Sequence, residues 1–313
     1  MFTVLVHAIR LEARGIVSVE LRLPTGGDLP PFSAGSHIDL HLPNGMVRSY
    51  SLFNSPAERH RYLVGVLKDR DSRGGSRFVH EQLRVGSAIS IAAPRNHFEL
   101  NESAAQSVLL AGGIGVTPIL CMYNRLRAIN RPVQLLYCAR SKAEAAFVDE
   151  LAGLGGQVRT HFDDEAGGPP DLPGLLAGHP PDTHVYCCGP APMLNAFEAA
   201  CAALGYGHVH IERFAATEEV RSVQDDGYQV RLARSGRTIE VASGTSLLDA
   251  LLDANVNVDY SCREGICGAC ETAVLEGRPD HRDLILTDCR RQANDTMMVC
   301  VSGCKDGKLV LDL

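Results

Sequence analysis

Four cysteines toward the C-terminal end are spaced for metal chemistry. Cys262 is followed by Cys267 after four intervening residues and by Cys270 after two more, and Cys300 lies thirty positions further on. This is the spacing of a plant-type [2Fe–2S] site. Three thiolates on one tight loop must wrap two irons, so the residues between them have to be small. Gly265, Gly268 and Ala269 meet that need, letting the backbone approach the inorganic sulfurs and aim amide donors at them. A zinc site or buried free thiols are the other chemistries open to such a set. Zinc usually takes two paired Cys or His arms, and here the second arm offers only Cys300, with Cys304 nearby. Cys304 is an alternative fourth ligand, while Cys289 is expected to pack as a small apolar residue.

Two glycine-bearing turns carry a second kind of chemistry. Leu109 to Ala111 is an apolar run that enters Gly112-Gly113-Ile114-Gly115-Val116-Thr117-Pro118 and then a helical stretch. Such a turn lets backbone amides and a helix dipole meet a pyrophosphate. On its own it also reads as a tight strand-to-helix turn with no ligand. Farther on, Tyr186-Cys187-Cys188-Gly189-Pro190-Ala191-Pro192-Met193 ends a strand in a cysteine and turns at Gly-Pro into a helix. Cys188 is placed to contact a nicotinamide, with a buried structural thiol as the plainer alternative. Nearer the N-terminus, Arg48-Ser49-Tyr50-Ser51 puts Arg48 and Tyr50 on one face of a strand, suited to a phosphate and an aromatic ring system. The alternative is an ordinary solvated face. Arg73-Gly74-Gly75-Ser76 opens a second helical stretch and offers a further anion site.

These residues need three kinds of framework. Residues 1–102 read as short strands broken by Gly and Pro turns, which predicts a small antiparallel β-barrel. Residues 103–214 alternate buried strands with helices: strands at Ser107–Ala111, Val133–Cys138, Gln157–Phe162, Thr183–Cys188 and Val209–Phe214, helices at Thr117–Ile129, Ala143–Leu154 and Ala191–Leu204. That rhythm predicts an α/β domain with a parallel sheet. Residues 215–226 are polar and aperiodic, a linker. Residues 227–313 form a small α+β unit, with strands expected at Tyr228–Ala233, Thr238–Ala242, Thr272–Leu275 and Thr296–Ser302 and a helix starting at Ser246.

Composition narrows the function class. The chain has 313 residues, 45% hydrophobic and 21% charged, with net charge −7. These values suit a multidomain globular protein and argue against a nucleic-acid or membrane-surface footprint. No apolar run approaches the length of a membrane helix. Eleven cysteines, an odd number, in a chain whose start lacks a secretion signal fit metal ligation better than disulfides. The expectation is a cytoplasmic monomer.

Together the motifs resemble the phthalate dioxygenase reductase family, which includes the reductase subunit of vanillate O-demethylase. Arg-x-Tyr-Ser, the Gly-Gly-Ser turn, Gly-Gly-Ile-Gly-Val-Thr-Pro, Cys-Gly-Pro-x-x-Met and the cysteine motif occur in that order across essentially the whole chain. The resemblance implies an FMN-binding barrel, an NADH-binding domain and a C-terminal plant-type ferredoxin domain. Arg48, Ser49, Tyr50 and Ser51 would hold FMN, with Gly74, Gly75 and Ser76 near its phosphate. Gly112, Gly113, Gly115, Thr117, Cys188, Gly189 and Pro190 would frame the nicotinamide nucleotide, and Phe214 would lie near the flavin. Ser51, Thr117 and Cys188 would be closest to the reaction, and Cys262, Cys267, Cys270 and Cys300 would bind the cluster. The partner implied is a terminal oxygenase of the Rieske non-haem iron type. Electron counting agrees: nicotinamide gives two electrons as a hydride, a cluster takes one, and a flavin can divide the pair. The rival readings are an FAD-containing reductase of the same domain order and a non-catalytic iron–sulfur carrier. The short Ser51–Ala57 segment shows no platform for adenine, which favours FMN. In the turn Cys138-Ala139-Arg140-Ser141-Lys142, Arg140 or Lys142 could meet a 2′-phosphate and no acidic ribose partner is evident, yet the resemblance favours NADH.

Overall fold

The computed structural model describes residues 1–70, 72–153, 157–215 and 227–313. The expected linker therefore lies, from residue 216 on, outside the described residues. Two compact units are present, Met1–Phe214 and Ala215–Leu313.

The first unit begins with β1 (Phe2–Ala13), β2 (Ile16–Arg22), β3 (Ser36–His41), β4 (Val47–Ser51) and β5 (Tyr62–Leu67). Helix α1 (Gly75–Glu81), β6 (Ala88–Ile91) and the two-residue β7 (Arg95–Asn96) follow. The strands pair antiparallel in the order β4-β3-β6-β1-β2-β5, with β7 on β3. A bridge between Leu52 and Val64 joins the two ends of that order. The sheet thus closes into a barrel, which leaves no long unpaired edge. Inward residues such as Val4, Val19, Leu21, Ile38, Leu40 and Val64 fill it, each fully buried.

The same unit continues with β8 (Ser107–Gly112), α2 (Val116–Ala128), β9 (Val133–Ala139), α3 (Val148–Gly153) and β10 (Val158–Phe162). Two short helices, α4 (Asp163–Ala166) and α5 (Leu172–Leu176), precede β11 (His184–Cys188), α6 (Ala191–Leu204) and β12 (His208–Glu212). All neighbours in the sheet β10-β9-β8-β11-β12 run parallel. Its strands are apolar because helices cover both faces.

Local expectations fail in this half where packing overrides propensity. The helix expected over Ala143–Leu154 is a single 3₁₀ turn at Lys142–Glu144 followed by α3 from Val148. Ala145, Ala146 and Phe147 between them are buried, and Phe147 takes a left-handed φ of 61°. Its ring meets that of Phe53, 4.7 Å away, so a barrel-to-sheet contact replaces two helical turns. The strand expected to reach Phe214 ends at Glu212.

The second unit contains β13 (Tyr228–Leu232), β14 (Thr238–Val241), α7 (Leu247–Asp253), β15 (Glu271–Glu276) and β16 (Pro279–Asp280). It ends with α8 (Asp288–Ala293), β17 (Thr296–Met298), β18 (Gly303–Cys304) and β19 (Lys308–Leu311). Its main sheet has the order β14-β13-β19-β15-β17. Ser246 caps α7 by accepting a hydrogen bond from the Asp249 amide (3.1 Å), and Leu247, Leu248 and Leu251 bury its inner face. The strand expected over Thr296–Ser302 stops at Met298, whose carbonyl accepts from the Val301 and Ser302 amides (3.2 and 2.9 Å). That turn aims Cys300 away from the ladder. Among the described residues no helix is long and apolar enough to cross a membrane.

Phe53 is 6% exposed, so Phe53→Ala should destabilise the first unit. A loss of about 3–5 kcal/mol is expected, measured by urea unfolding followed through the tyrosine circular dichroism.

Candidate functional site

The strand order of the parallel sheet reverses between β8 and β11, and open α/β sheets bind ligands at the carboxyl ends of the strands at such a point. Both glycine turns end there. A Cβ on Gly115 would lie 2.2 Å from the Cys188 carbonyl oxygen, and one on Gly112 would lie 2.5 Å from Met193 Sδ and 2.7 Å from Pro190 Cδ. Only glycine allows that approach. Gly113 adds a left-handed φ of 55°, and helix α2 starts directly after Gly115. The structure therefore brings Gly112, Gly113, Gly115, Cys188, Gly189 and Pro190 together at one cradle with amides exposed by the turn. Thr117 belongs to the wall beside it. Its hydroxyl donates to the Ile114 carbonyl (3.0 Å), and a Cβ on Gly65 of the barrel would lie 2.6 Å from its methyl.

One residue at this junction carried no sequence motif. Glu212 closes β12 as the ladder partner of Cys188, whose thiol donates to Glu212 Oε2 at 3.8 Å. The carboxyl also hydrogen-bonds Ser51, the last residue of β4. Loss of hydration pushes the Glu212 carboxyl up to about 8, and the bonds with Cys188 and Ser51 offset only part of that shift. Burial, then the Glu212 carboxyl beside it, pushes the Cys188 thiol well up. At neutral pH the ends of β4, β11 and β12 thus present a hydroxyl, a thiol and a protonated carboxyl in contact. The sequence signal for Glu212 was its place at the carboxyl end of a parallel strand.

Strand β4 divides its residues between two faces. Arg48 and Tyr50 share one, with Tyr50 against the barrel core and its phenol pushed up to about 12 by burial. The Arg48 side chain crosses the Gly74–Gly75 turn, where a Cβ on Gly75 would lie 2.6 Å from Arg48 Cγ. Gly74, at φ 106°, caps α1. Ser76 Oγ accepts from the Asp69 amide (3.2 Å) and donates to Ser72 Oγ (3.0 Å), which shapes the loop. Ser49 and Ser51 lie on the opposite face, and Ser49 donates to Asp39 Oδ1 (2.6 Å). Phe214, just past β12, leaves 43% of its surface exposed, a ring available for stacking.

In the second unit, Cys262 interacts with Cys267 and Cys300, and Cys270 with Cys300. No three such side chains close around one single-ion position among the described residues, and a two-iron cluster spreads its four sulfurs over two centres. The Cys262 amide donates to Cys267 Sγ (3.4 Å) and the Glu264 amide to Cys262 Sγ (3.3 Å), as a thiolate loop requires. Gly265 at φ 69° lets the loop pass Asp283, whose Cα would lie 3.0 Å from a Cβ there. Arg263 takes φ 60° and is pinned by Asp249 (3.0 Å) and the Tyr260 ring (4.8 Å). Cys304 sits elsewhere, among the amides of Asp306, Gly307 and Lys308. Cys289 is exposed on α8, which buries none of its residues, so the expectation that it packs inside is corrected.

The chain matches the 2Fe-2S iron–sulfur cluster binding domain over residues 230–305 and the N-terminal domain of dimethylamine monooxygenase subunit DmmA-like proteins over residues 88–211. It is 52% identical to the phenoxybenzoate dioxygenase subunit beta of Ectopseudomonas oleovorans, over 98% of this chain and 96% of that protein. The crystal structure of phthalate dioxygenase reductase, described as a modular structure for electron transfer from pyridine nucleotides to [2Fe–2S], superposes with a TM-score of 0.73 at 38% identity over 100% of this chain and 98% of that one. The chain belongs to the phthalate dioxygenase reductase family. An intact type IV self-sufficient cytochrome P450 monooxygenase also superposes, with a TM-score of 0.91 at 41% identity over 99% of this chain. This chain spans 41% of that protein's length.

Family membership makes the protein an NADH-dependent flavin iron–sulfur oxidoreductase, the reductase component of an oxygenase system. It also gives meaning to the outer end of the parallel sheet. The register Phe162 with Ala139 sets Asp163 and Asp164 beside the Arg140 turn, and the Asp164 amide donates to the Arg140 carbonyl (3.1 Å). Carboxylates that the sequence order hid are thus adjacent to the turn after β9.

Because Glu212 holds its proton more tightly folded than unfolded, stability is lost as pH rises from its ordinary value of 4.5 through about 8. Glu212→Gln should therefore raise the melting temperature at pH 8 and leave it unchanged below pH 4.5, measured by scanning calorimetry.

Proposed function

We propose that the chain binds FMN and NADH in its first unit and a [2Fe–2S] cluster on Cys262, Cys267, Cys270 and Cys300. It delivers electrons singly to a Rieske non-haem iron oxygenase acting on an aromatic substrate, as a cytoplasmic monomer. The observation that carries this reading is the meeting of the Arg48–Ser51 strand end with both glycine turns at Ser51, Cys188 and Glu212. Ser51, Cys188 and Glu212 would border a flavin held there, a group whose chemistry would be to take a hydride from NADH and return the electrons one at a time.

The chain's own residues bind, orient and exclude water. Arg48 supplies a guanidinium fork for the FMN phosphate beside the Gly74–Gly75 turn. Tyr50 and Phe214 offer aromatic faces to the ring system. The amides after Gly112 and Gly115 receive the dinucleotide pyrophosphate, while Cys188, fully buried, and Ser51 bound the space between nicotinamide and flavin. Neutral Glu212 donates or holds a proton at its carboxyl without placing an anion beside the transferring hydride. FMN rather than FAD is supported by the loop after β4. Asn54 Nδ2 is spent on the carbonyls of Ser55, Glu58 and Arg61, its Oδ1 accepts from the Leu63 amide, and Phe53 packs inward. The one phenyl ring of that loop is thereby turned away from any adenine.

Mass spectrometry of the flavin released by acid should find FMN; FAD would overturn that choice. Arg48→Ala should lower FMN affinity about 10- to 100-fold, the loss of a charge-assisted pair of roughly 1.5–3 kcal/mol, read by flavin retention on gel filtration. Cys300→Ser should bleach the visible cluster absorption while Cys304→Ser retains it, and Cys267→Ser should bleach it yet still allow NADH to reduce the flavin.

A further inference from the structure

The face of β3 and β4 that carries Ser51 points away from the barrel core, which Ile38, Leu40 and Tyr50 fill from the other side, and it is polar yet largely buried: Ser51, His37 and Asp39 are each at most 5% exposed. On the antiparallel pair β3–β4, Asp39 lies directly across from Ser49 and His37 directly across from Ser51. Side chains on this face touch across the strands, since Ser49 donates to Asp39 Oδ1 at 2.6 Å. Arg95 of β7, the ladder partner of His37 on its other side, donates to Asp39 Oδ2 at 2.6 Å and neutralises it. His37 itself is only 5% exposed. Its ring centroid lies 5.7 Å from that of His97, tilted by 35°, and His97 is exposed to solvent. Proton-carrying side chains thus succeed one another from Cys188 and Glu212 to Ser51, across the ladder to His37, and on to the neighbouring His97 at the surface.

The net reaction calls for such a route. Each NADH oxidised yields NAD⁺, two electrons and one proton. The electrons would leave singly by the cluster, and the proton that arrived with the hydride has to leave a junction where Ser51 and Cys188 are buried. We propose that His37 relays this proton between the Ser51–Glu212 pair and solvent at His97. This inference rests on the assignment of the junction to hydride transfer. The Ser51 hydroxyl takes the proton on one lone pair as it gives its own to His37, so its O–H bond is conserved while Glu212 stays protonated. His37 accepts on one ring nitrogen and releases from the other, and His97 or a water beside it passes the proton out. An imidazole is suited to this because it titrates near neutrality and can hold a proton on either nitrogen. Among the charged and titratable groups around His37, Asp39 on its own strand is paired with Arg95 of β7, His97 lies beyond it, and Glu212 is reached through Ser51 on β4. The Arg95–Asp39 pair cancels its own charge, so a step in His37 that follows Glu212 would report the link through Ser51.

Two measurements test the relay. In the flavin-loaded protein with ¹⁵N-labelled histidine, the His37 ring resonances should show a titration step near pH 8, where Glu212 ionises. Both Glu212→Gln and Ser51→Ala should remove that step. In stopped flow with a pH indicator, His37→Gln should slow proton release by at least about tenfold relative to electron arrival at the cluster, with free imidazole restoring it. His97→Gln, at the surface, should give a smaller lag of the same kind. A His37 resonance blind to Glu212, together with proton release that keeps pace with electron arrival in His37→Gln, would overturn the relay alone. If Glu212→Gln instead left both NADH-driven flavin reduction and proton release at wild-type rates, the assignment of the junction itself would fall.

Discussion

The first unit depends on a contact made possible by an atom that is missing. Gly115 brings its backbone so close to the Cys188 carbonyl that a Cβ would sit 2.2 Å from it. Any side chain there would displace the end of β11, and Cys188 is bonded through the sheet to Glu212 on β12. Glu212 in turn bonds Ser51 of the barrel. One glycine thereby sets the separation of three strand ends contributed by two different sheets. Packed interiors transmit such shifts because they have little free volume, so the register of the sheet and the chemistry of the junction are one constraint.

That junction is kept electrically quiet. Taking a carboxylate out of water costs more than two hydrogen bonds return, so Glu212 keeps its proton to about pH 8. Cys188 remains a thiol for the same reason. Asp39, only 3% exposed, solves the problem in another way, by pairing with Arg95 at 2.6 Å. A neutral acid at the strand end and a compensated acid one pair along the barrel give a polar surface that carries protons while adding no net charge near a transferring hydride. Gly65 and Thr117, with Phe53 and Phe147, lock the barrel and parallel sheet beside it.

The second unit shows the opposite economy. Three sulfurs are brought together on a loop held in costly backbone conformations, with Arg263 at φ 60° pinned by Asp249 and Tyr260. Thiolates so close repel one another, and amides from Cys262 and Glu264 answer only part of that charge. On the proposed ligand set the bound metal would supply the remainder, so cluster binding there would contribute to folding as well as to function. The turn after Met298 completes the set because only a chain leaving its ladder can present Cys300 to the loop.

Much of this protein was legible in its residues. Cysteine spacing, glycine turns and the shift from alternating to continuous apolar strands are local signals, and local sterics and ligand geometry dictate them. They were enough for three kinds of framework, the cluster and the family. Contacts between segments distant in sequence were not legible. Glu212 carries no motif, and its proton is held by burial against Cys188 and Ser51. The Ala145–Phe147 turn contradicts its helical propensity because Phe53 of the barrel claims Phe147. Cys289 is exposed because α8 turns no side chain inward, and Asp163 meets the Arg140 turn only through the β9–β10 register. Residue type and spacing determine which chemistry is available; desolvation and cross-strand neighbours, which exist only once the chain has packed, decide which groups are charged, which are shared and where a proton can go.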